Sequence, residues 1–453
     1  MIFKKISKTK LSLALISLVI TFFVWQQGLR DSLTRPSVAF DIGQKEQEIV
    51  ALAYQSIPKN LKGFFITNDP FDEINNTLSK VLFNDLSDRN KLIKIISSES
   101  NEYFIEKNIS NNFENKKYNL LIDEIEKKSK NNSYKPNSDK FYLFEDDKFL
   151  YHLLSKKFDF DDSLLITKSF SRKMFLKILA IRLIPLVTIL LGTLLVLKTF
   201  WKAIALKKLD WKEIKYLDFE LIDMVLLIAG GFVVLGEVVS PLFSISLVEL
   251  FSKNISNELS QSLKIFFGYL FMAIPPLWIV YYQIKSLYGG FTFKKDYFQF
   301  NFSSIRYSII NGIKGWLTIV PFVLLISLIM NSLIDNQNGS NPLLEIVLNN
   351  TNYFSFVILF VTTTLLAPFF EEVIFRGVLL PTISRDFGII WGIIISAFIF
   401  ALAHLSIGEM PPLFVLGIGL GITRIATGSL LSSVIMHSLW NGLTFLNLFL
   451  LRT

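Results

Sequence analysis

Runs of about twenty apolar residues recur along the 453-residue chain, and they constrain its fold more than any other feature. A helix of this length is what a hydrocarbon core of roughly 30 Å requires. The composition agrees, because 51% of the residues are hydrophobic and 14% are aromatic. The sequence therefore predicts an all-α protein, a polytopic transmembrane helix bundle.

The apolar runs predict about nine membrane crossings. The first lies at residues 11–25, after a lysine-rich start. No small-residue cleavage site follows it, so we expect an uncleaved anchor within residues 1–27. The other runs lie near residues 174–197, 219–247, 263–284, 308–332, 353–383, 388–405, 411–427 and 429–450.

Residues 28–172 differ from the rest of the chain. They are rich in Lys, Asn, Asp, Glu and Ser, and their apolar residues recur mostly at helical spacing. We expect a mainly helical extramembrane domain inserted after the first span, large enough for its own core. The predicted domains are the anchor (1–27), this domain (28–172), additional transmembrane helices (173–299) and a C-terminal membrane core (300–453).

The positive charges predict the topology. Lys and Arg accumulate on the cytoplasmic side of membrane proteins. The basic segments 198–215 and 285–306 should therefore lie there together with the N-terminus, whereas the segments 251–261 and 334–345 are poorer in positive charge and should lie outside. This alternation places residues 28–172 outside the cytoplasm, on a bacterial-type inner or cell membrane.

The net charge of +8 follows from this topology, so it is not a sign of nucleic-acid binding. The expected partners are the lipid bilayer and a membrane-associated protein or peptide substrate, with no nucleic acid. The chain has no cysteine, which excludes a cysteine nucleophile, a disulfide and a thiolate metal site.

The last four apolar runs contain polar residues that a helix facing lipid would not carry. Ionisable side chains inside a bilayer are costly unless they pair or line a wet cavity, so they predict a functional site. The segment LLAPFFEEVIFRGVLL, residues 365–380, supplies three of them. The full set lies within about 70 residues: Glu371, Glu372, Arg376, His404, His437 and Asn441.

Helical spacing sorts these residues into groups. Glu372 and Arg376 are four positions apart, so they can form an ion pair along one helix. Glu371 is turned away from that pair, which leaves its carboxylate for a different neighbour. His437 and Asn441 are also four apart and share one face of the last helix.

Three other features predict structural roles. Glu237 is a single acidic residue deep in an earlier run, and we expect it to pair with a neighbouring helix. Gly417 and Gly421 have the GxxxG spacing that lets two membrane helices approach closely. His152 lies in an amphipathic patch of the 28–172 domain and is expected to be an ordinary structural histidine.

Two chemistries suit the intramembrane set. A carboxylate and an imidazole can take a proton from water, while a second imidazole and a carboxamide donate hydrogen bonds to the oxyanion that forms. Alternatively, Glu371, His404 and His437 can hold a zinc ion with an open position for water. The sequence does not decide between these alternatives, and zinc is the one candidate cofactor.

The three motifs together resemble a known family. Their order, internal spacing and place in the last four spans are similar to the signature of the CPBP family, intramembrane proteases related to the eukaryotic prenyl-CAAX endopeptidase and to bacterial Abi proteins. The resemblance covers roughly residues 300–453. The motifs are Glu371-Glu372-x-x-x-Arg376, Phe400-x-x-x-His404 and His437-x-x-x-Asn441.

The resemblance implies a compact helical membrane core with its site open to a cavity. It implies that Glu371 and His404 activate water. It implies that His437 and Asn441 stabilise the oxyanion. It also implies that Glu372 and Arg376 support the site. The family has been described both as metalloproteases and as glutamate-dependent proteases.

The leading prediction is an intramembrane endopeptidase that cleaves a membrane-associated protein or peptide. A non-catalytic membrane scaffold or chaperone on the same fold is one alternative, because the 28–172 domain could recruit partners. A proton-coupled transporter is another, because membrane Glu and His form proton relays. Residues 174–350 hold no second copy of the polar set, which argues against an internal repeat of the transporter kind.

Overall fold

The computed structural model describes residues 7–35, 38–66, 68–83, 86–97, 116–130, 134, 138–206, 212–251, 255–289, 296–333 and 342–452. Within these ranges the chain forms helices and connecting loops and no strand, which confirms the all-α prediction. Residues 207–211, 252–254, 290–295 and 334–341, parts of the loops used to predict the topology, lie outside the described residues.

The described α-helices vary from one turn to about eleven. Short 3₁₀ turns occur at Tyr54–Ser56, Ser138–Phe144 and Phe302–Ser304. The α-helices in chain order are α1 (Lys8–Ser32), α2 (Val38–Ala53), α3 (Lys62–Phe65), α4 (Pro70–Ser79), α5 (Asp88–Ser97), α6 (Lys116–Lys130), α7 (Lys148–Phe158), α8 (Lys168–Leu206), α9 (Leu221–Phe251), α10 (Asn257–Tyr288), α11 (Ile305–Leu333), α12 (Pro342–Asn349), α13 (Tyr353–Phe387), α14 (Ile389–Leu402), α15 (Met410–Thr427) and α16 (Leu430–Leu450).

Seven helices of the described chain are long and apolar enough to cross a membrane: α1, α8, α9, α10, α11, α13 and α15. This confirms a polytopic helical bundle and makes the chain a multi-pass membrane protein. The number of candidate spans is lower than the nine predicted, because the apolar runs near residues 388–405 and 429–450 form helices that are shorter or less apolar than the other seven. Helix α14 has 14 residues, a length of roughly 21 Å, and α16 carries His437 and Asn441 among its apolar residues.

The chain divides into two compact units. The first comprises Met1–Val38 and Pro185–Phe449, and it contains the intramembrane polar residues. The second comprises Ala39–Ile184 and Leu450–Thr453.

Three helices form the centre of the first unit. About half of the most apolar stretch of α9 is buried, as is 44% of the corresponding stretches of α13 and α15, against 11–22% for α1, α8, α10 and α11. Aromatic rings fill the space between them. Phe232 stacks on Phe370 with ring centroids 5.9 Å apart, and Phe375 meets Phe400 edge-on at 5.5 Å. Helix α13, which carries Glu371 and Glu372, is therefore surrounded by protein.

Wide π-helical turns interrupt α9 and α13, two of the three central helices. They occupy Leu226–Val239 in α9 and both Thr362–Leu366 and Val373–Leu379 in α13. Such turns are rare and rotate the side chains that follow them, and they occur often at functional sites. In both helices an acidic residue lies within or beside the π-helical stretch.

Glycines allow α15 to pack closely on both sides. A Cβ atom at Gly417 would lie 2.9 Å from the Cβ of Ala397 on α14, and one at Gly419 would lie 2.6 Å from Ile319 on α11. Real carbon atoms do not approach this closely, so only glycine fits. A Cβ atom at Gly421 would lie 3.2 Å from Ile393 on α14, so Gly417 and Gly421 both face α14, and the close approach predicted from their GxxxG spacing is confirmed.

The second unit is a helical domain with a buried polar cluster, which we call the Arg89 cluster. Arg89 donates to both carboxylate oxygens of Glu48, at 2.7 and 3.0 Å, and to both of Asp147, at 2.6 and 3.0 Å. Glu48 is fully buried, and Gln44 also donates to it. His152 is buried against Asp162.

Candidate active site

Helix α13 directs its two adjacent glutamates to different surroundings. Glu372 and Arg376 are both fully buried, and the Arg376 Nη1 donates to Glu372 Oε1 at 2.7 Å. The ion pair expected from their four-residue spacing is present. Glu371 is 8% exposed and takes no part in that pair.

The buried ion pair holds α13 to two other helices. Arg376 donates through Nη2 to the Gly417 carbonyl of α15 at 3.1 Å. On α16, Ser433 donates to Glu372, and His437 Nδ1 lies 3.0 Å from Glu372 Oε1. A carboxylate can only accept, so His437 carries a hydrogen on Nδ1, and its Nε2 points elsewhere.

Glu371 presents a carboxylate oxygen without a hydrogen-bond partner. Its Oε2 is buried and accepts no hydrogen bond within the described protein, and the nearest ring nitrogen is Nε2 of His437 at 3.8 Å. A buried acceptor left in this state costs free energy, typically about 1–3 kcal/mol. The unmet acceptor marks a place where water or another donor would be bound.

His404 lies in the turn just past the end of α14, four residues after Phe400. Its Nδ1 is 2.8 Å from the Phe400 carbonyl, which can only accept, so Nδ1 carries the hydrogen and the lone pair lies on Nε2. The Phe400 ring is fully buried between three groups. It lies 4.8 Å from the His404 ring, 5.6 Å from the His437 ring and 4.4 Å from the Arg376 guanidinium.

The end of α1 holds the turn that carries His404. Arg35 donates to the Leu405 carbonyl at 3.0 Å, and the Ile407 N–H donates to Ser32 Oγ at 3.3 Å. Leu405 has a φ of 50°, a left-handed conformation that a leucine rarely adopts. The orientation of His404 therefore depends on contacts made by the first span of the chain.

Two cavities meet at Glu371, His404 and Tyr269. The larger chamber, of about 550 Å³, lies between α9, α10 and these three residues, and its wall includes Glu237, Lys264 and Gly268. The smaller chamber, of about 340 Å³, has Thr363, Trp440 and Asn441 in its wall. A water molecule between the two chambers would be within reach of the carboxylate and of the imidazole.

Asn441 lies in the wall of the smaller chamber and uses one of its two N–H groups. Its Nδ2 donates to the Thr363 carbonyl of α13 at 2.9 Å, which fixes the carboxamide. The second N–H remains for a ligand. Asn441 and His437 lie on one face of α16, as their spacing predicts.

The zinc alternative stays a prediction. No three histidine, aspartate or glutamate side chains in the described parts of the chain converge closely enough to hold a metal ion. His437 and His404 each use Nδ1 within the protein, towards Glu372 and the Phe400 carbonyl, and each leaves Nε2 for another partner.

Three residues that line or support the site were not among the predicted site residues. Ser433 lies four residues before His437, so the spacing rule that grouped His437 with Asn441 could have found it. Tyr269 and Glu237 lie more than 100 residues before Glu371, and no local pattern connects them to it. Glu237 was expected to pair with a neighbouring helix, and the Trp25 indole of α1 is its polar neighbour there. Its Oε2 is buried without a hydrogen-bond partner in the described protein.

Two family models match the chain. Residues 353–443 match the type II CAAX prenyl endopeptidase Rce1-like family, and residues 39–176 match a domain of unknown function, DUF8675. No curated protein and no solved structure matches. The first match contains all six predicted site residues, whereas Glu237 and Tyr269 lie outside it.

Proposed function

We propose that this chain hydrolyses a peptide bond of a membrane-associated protein or peptide with water activated by Glu371 and His404. The match of residues 353–443 to the type II CAAX prenyl endopeptidase Rce1-like family, and with it to CPBP intramembrane proteases, supports this proposal. The observation that carries the proposal is the buried Oε2 of Glu371, which has no hydrogen-bond partner and faces two cavities that His404 also lines.

In the proposed reaction, a water molecule binds between Glu371 Oε2 and His404 Nε2. Both atoms are acceptors, so the pair can orient the water and take its proton as the oxygen attacks the carbonyl carbon. The proton then passes to the leaving amine. No covalent enzyme intermediate is needed, and the chain has no cysteine to form a thioester.

The oxyanion of the tetrahedral intermediate would be bound by Asn441 and His437. Asn441 has a second N–H beyond the one given to Thr363. His437 lies between the carboxylates of Glu372 and Glu371, at 3.0 and 3.8 Å, and a ring in this position can hold hydrogens on both nitrogens. Its Nε2 then donates to the oxyanion.

Glu372 and Arg376 act through other residues. Glu372 orients His437 through Nδ1, and Arg376 compensates the buried charge of Glu372. They are positioning residues in this scheme, since neither carries an atom that would contact the peptide. The smaller and larger chambers then accommodate the two sides of the scissile bond.

The test compares cells that produce the wild type, Glu371→Gln or His404→Asn, with new protein N-termini in the membrane fraction identified by mass spectrometry. Peptides spanning a cleavage found in this way are then assayed with purified full-length protein in proteoliposomes. We expect kcat/KM to fall by about 10²–10⁴-fold in both variants.

Glu213→Gln is the matched control, since Glu213 is an exposed carboxylate of the membrane unit and lies in the wall of neither chamber. Its cleavage rate should equal that of the wild type. Cleavage by Glu371→Gln at the wild-type rate would refute the role of Glu371 as base.

A further inference from the structure

The larger chamber contains an acidic residue that the proposed reaction does not use. Glu237 lies in its wall, within the π-helical stretch Leu226–Val239 of α9, and its Oε2 is buried without a hydrogen-bond partner in the described protein. Leaving a carboxylate oxygen unpaired in an apolar wall is costly. A donor that enters the chamber would recover this cost.

The other charged groups of the larger chamber leave it acidic. Glu371 and His404 face it from α13 and the turn after α14, and Tyr269 faces it from α10. Lys264, on α10, is the one basic residue in the described wall, and its Nζ already lies 3.9 Å from the Glu249 carboxylate. Two carboxyl groups therefore face the chamber against one lysine that already has an acidic neighbour.

The chamber also has room for a side chain. A Cβ atom at Gly268 would meet only Ser244 Oγ, at 3.9 Å, so the wall opposite that glycine is open. The volume of about 550 Å³ is sufficient for one extended side chain with some water. The same cavity reaches Glu371 and His404, so a side chain bound there belongs to a residue close to the bond being cleaved.

We propose that the larger chamber is a substrate subsite for a cationic side chain, lysine or arginine, which Glu237 binds next to the scissile bond. This inference rests on the proposed function, since it names the substrate class of the same site. A primary amine or a guanidinium supplies a donor to Glu237 Oε2, and a charge-assisted hydrogen bond to a carboxylate is stronger than a neutral one.

Binding can be tested without any cleavage. Full-length protein in lipid nanodiscs is heated with hexylammonium or with hexanol, which differ in the cationic group. We expect hexylammonium to raise the unfolding midpoint of the wild type more than hexanol does, because a ligand that binds the folded state stabilises it. The difference should disappear in Glu237→Gln and persist in the matched control Glu213→Gln.

A second variant keeps the binding test decisive if Glu237→Gln folds poorly. Gly268→Leu leaves Glu237 in place and puts a side chain into the open part of the chamber, so it should also lose the response to hexylammonium. An equal response of the wild type to the two compounds, or an undiminished response in Glu237→Gln, overturns the inference.

Selectivity is tested with pairs of peptides in proteoliposomes. Within a pair, one peptide carries lysine and the other norleucine at the same position. Each position flanking the cleaved bond is tested in turn. We expect the wild type to prefer lysine at one position by at least about tenfold in kcat/KM, which corresponds to about 1.4 kcal/mol. Glu237→Gln should reduce this ratio towards one, and Glu213→Gln should keep it.

The outcomes separate the two proposals. Equal cleavage of both peptides overturns the cationic subsite and leaves the protease proposal intact. A preference for an acidic residue also overturns it and assigns the chamber to Lys264. If no peptide is cleaved and Glu371→Gln leaves the membrane proteome unchanged, the protease proposal fails, and the hexylammonium comparison alone decides whether Glu237 binds a cation.

Discussion

Each of the two units of the chain contains a buried ionic cluster, and the clusters differ in how completely their carboxylate oxygens are paired. In the Arg89 cluster of the helical domain, one guanidinium meets four carboxylate oxygens, and each of them has a partner. In the membrane unit, Arg376 meets one oxygen of Glu372, and the adjacent Glu371 keeps an oxygen with none.

The difference separates a cluster that stabilises a fold from one that leaves binding capacity unused. A fully paired cluster has no acceptor left for a ligand, and its loss should appear in stability alone. A cluster with an unpaired oxygen beside a cavity retains that capacity at a cost in stability. Substitutions in the two clusters should therefore change the free energy of unfolding by different amounts.

Arg376→Met should cause the largest loss. The substitution keeps much of the side-chain volume but leaves Glu372 charged and fully buried, and breaking a buried pair in this way costs about 3–5 kcal/mol. Thermal unfolding of the full chain in nanodiscs measures it. The double variant Glu372→Gln/Arg376→Met removes both charges and should lose less than Arg376→Met alone, whereas an equal or larger loss would contradict the ion-pair explanation.

Arg89→Met should have a smaller effect on the helical domain. Burial alone would lower the pKa of Arg89, but Glu48 and Asp147 together hold that pKa above its ordinary value. Without the guanidinium both carboxylates lose their cation. Since the Arg89 and Asp147 side chains are each 27% exposed, water compensates part of the loss, and we expect about 2 kcal/mol.

Hydrogen exchange of the α5 and α7 amides in the full chain measures the effect of Arg89→Met. Arg182→Met is a suitable comparison, because Arg182 pairs with one carboxylate, Glu46, at 3.0 Å. Its effect should be smaller. If Arg89→Met and Arg182→Met accelerated exchange equally, pairing with two carboxylates would stabilise the domain no more than pairing with one.

Lowering the pH should destabilise the helical domain by less than Arg89→Met does. Burial alone would raise the pKa of Asp147, but the hydrogen bond and charge of Arg89 outweigh burial and hold this pKa below its ordinary value. A lowered native pKa contributes stability above the pKa of the unfolded chain, about 3.9, and loses it as the pH falls through the native value.

Asp147→Asn isolates that contribution, because asparagine keeps the helix-capping acceptor that Leu150 uses and removes the charge. Wild type should be more protected from exchange than Asp147→Asn at pH 6, by about 1 kcal/mol. The gap should narrow as the pH falls below about 4. A gap that does not change with pH would mean that the charge of Asp147 does not contribute.

The sequence predicts the helices and the local pairs of this protein well because both depend on short spacing. Apolar runs predicted the membrane bundle, and four-residue spacing predicted that Glu372 would pair with Arg376. The same rule applied to α16 would have added Ser433. These features depend on the geometry of one helix, which the residue order alone determines.

The parts that the sequence could not predict depend on several helices at once. The larger chamber needs α9, α10 and α13 to meet, so nothing local connected Glu237 or Tyr269 to Glu371. The π-helical turns arise from packing and have no simple spacing pattern. The position of His404 past the end of α14, held by Arg35 of the first span, depends on contacts between residues some 370 positions apart.

Glu371→Gln should change stability least of all, within about 0.5 kcal/mol of the wild type or slightly in its favour. The amide has almost the shape of the carboxylate, and Glu371 Oε2 accepts no hydrogen bond in the described protein that the substitution would break, so little is lost on folding. The same substitution in the adjacent Glu372 removes the partner of Arg376 and should destabilise the chain by several times as much. Thermal unfolding of the two single variants in nanodiscs makes the comparison directly, with cleavage measured on the same samples. Equal losses of stability would place Glu371 with the structural ion pair, and the argument for a water-binding carboxylate would then lose its support.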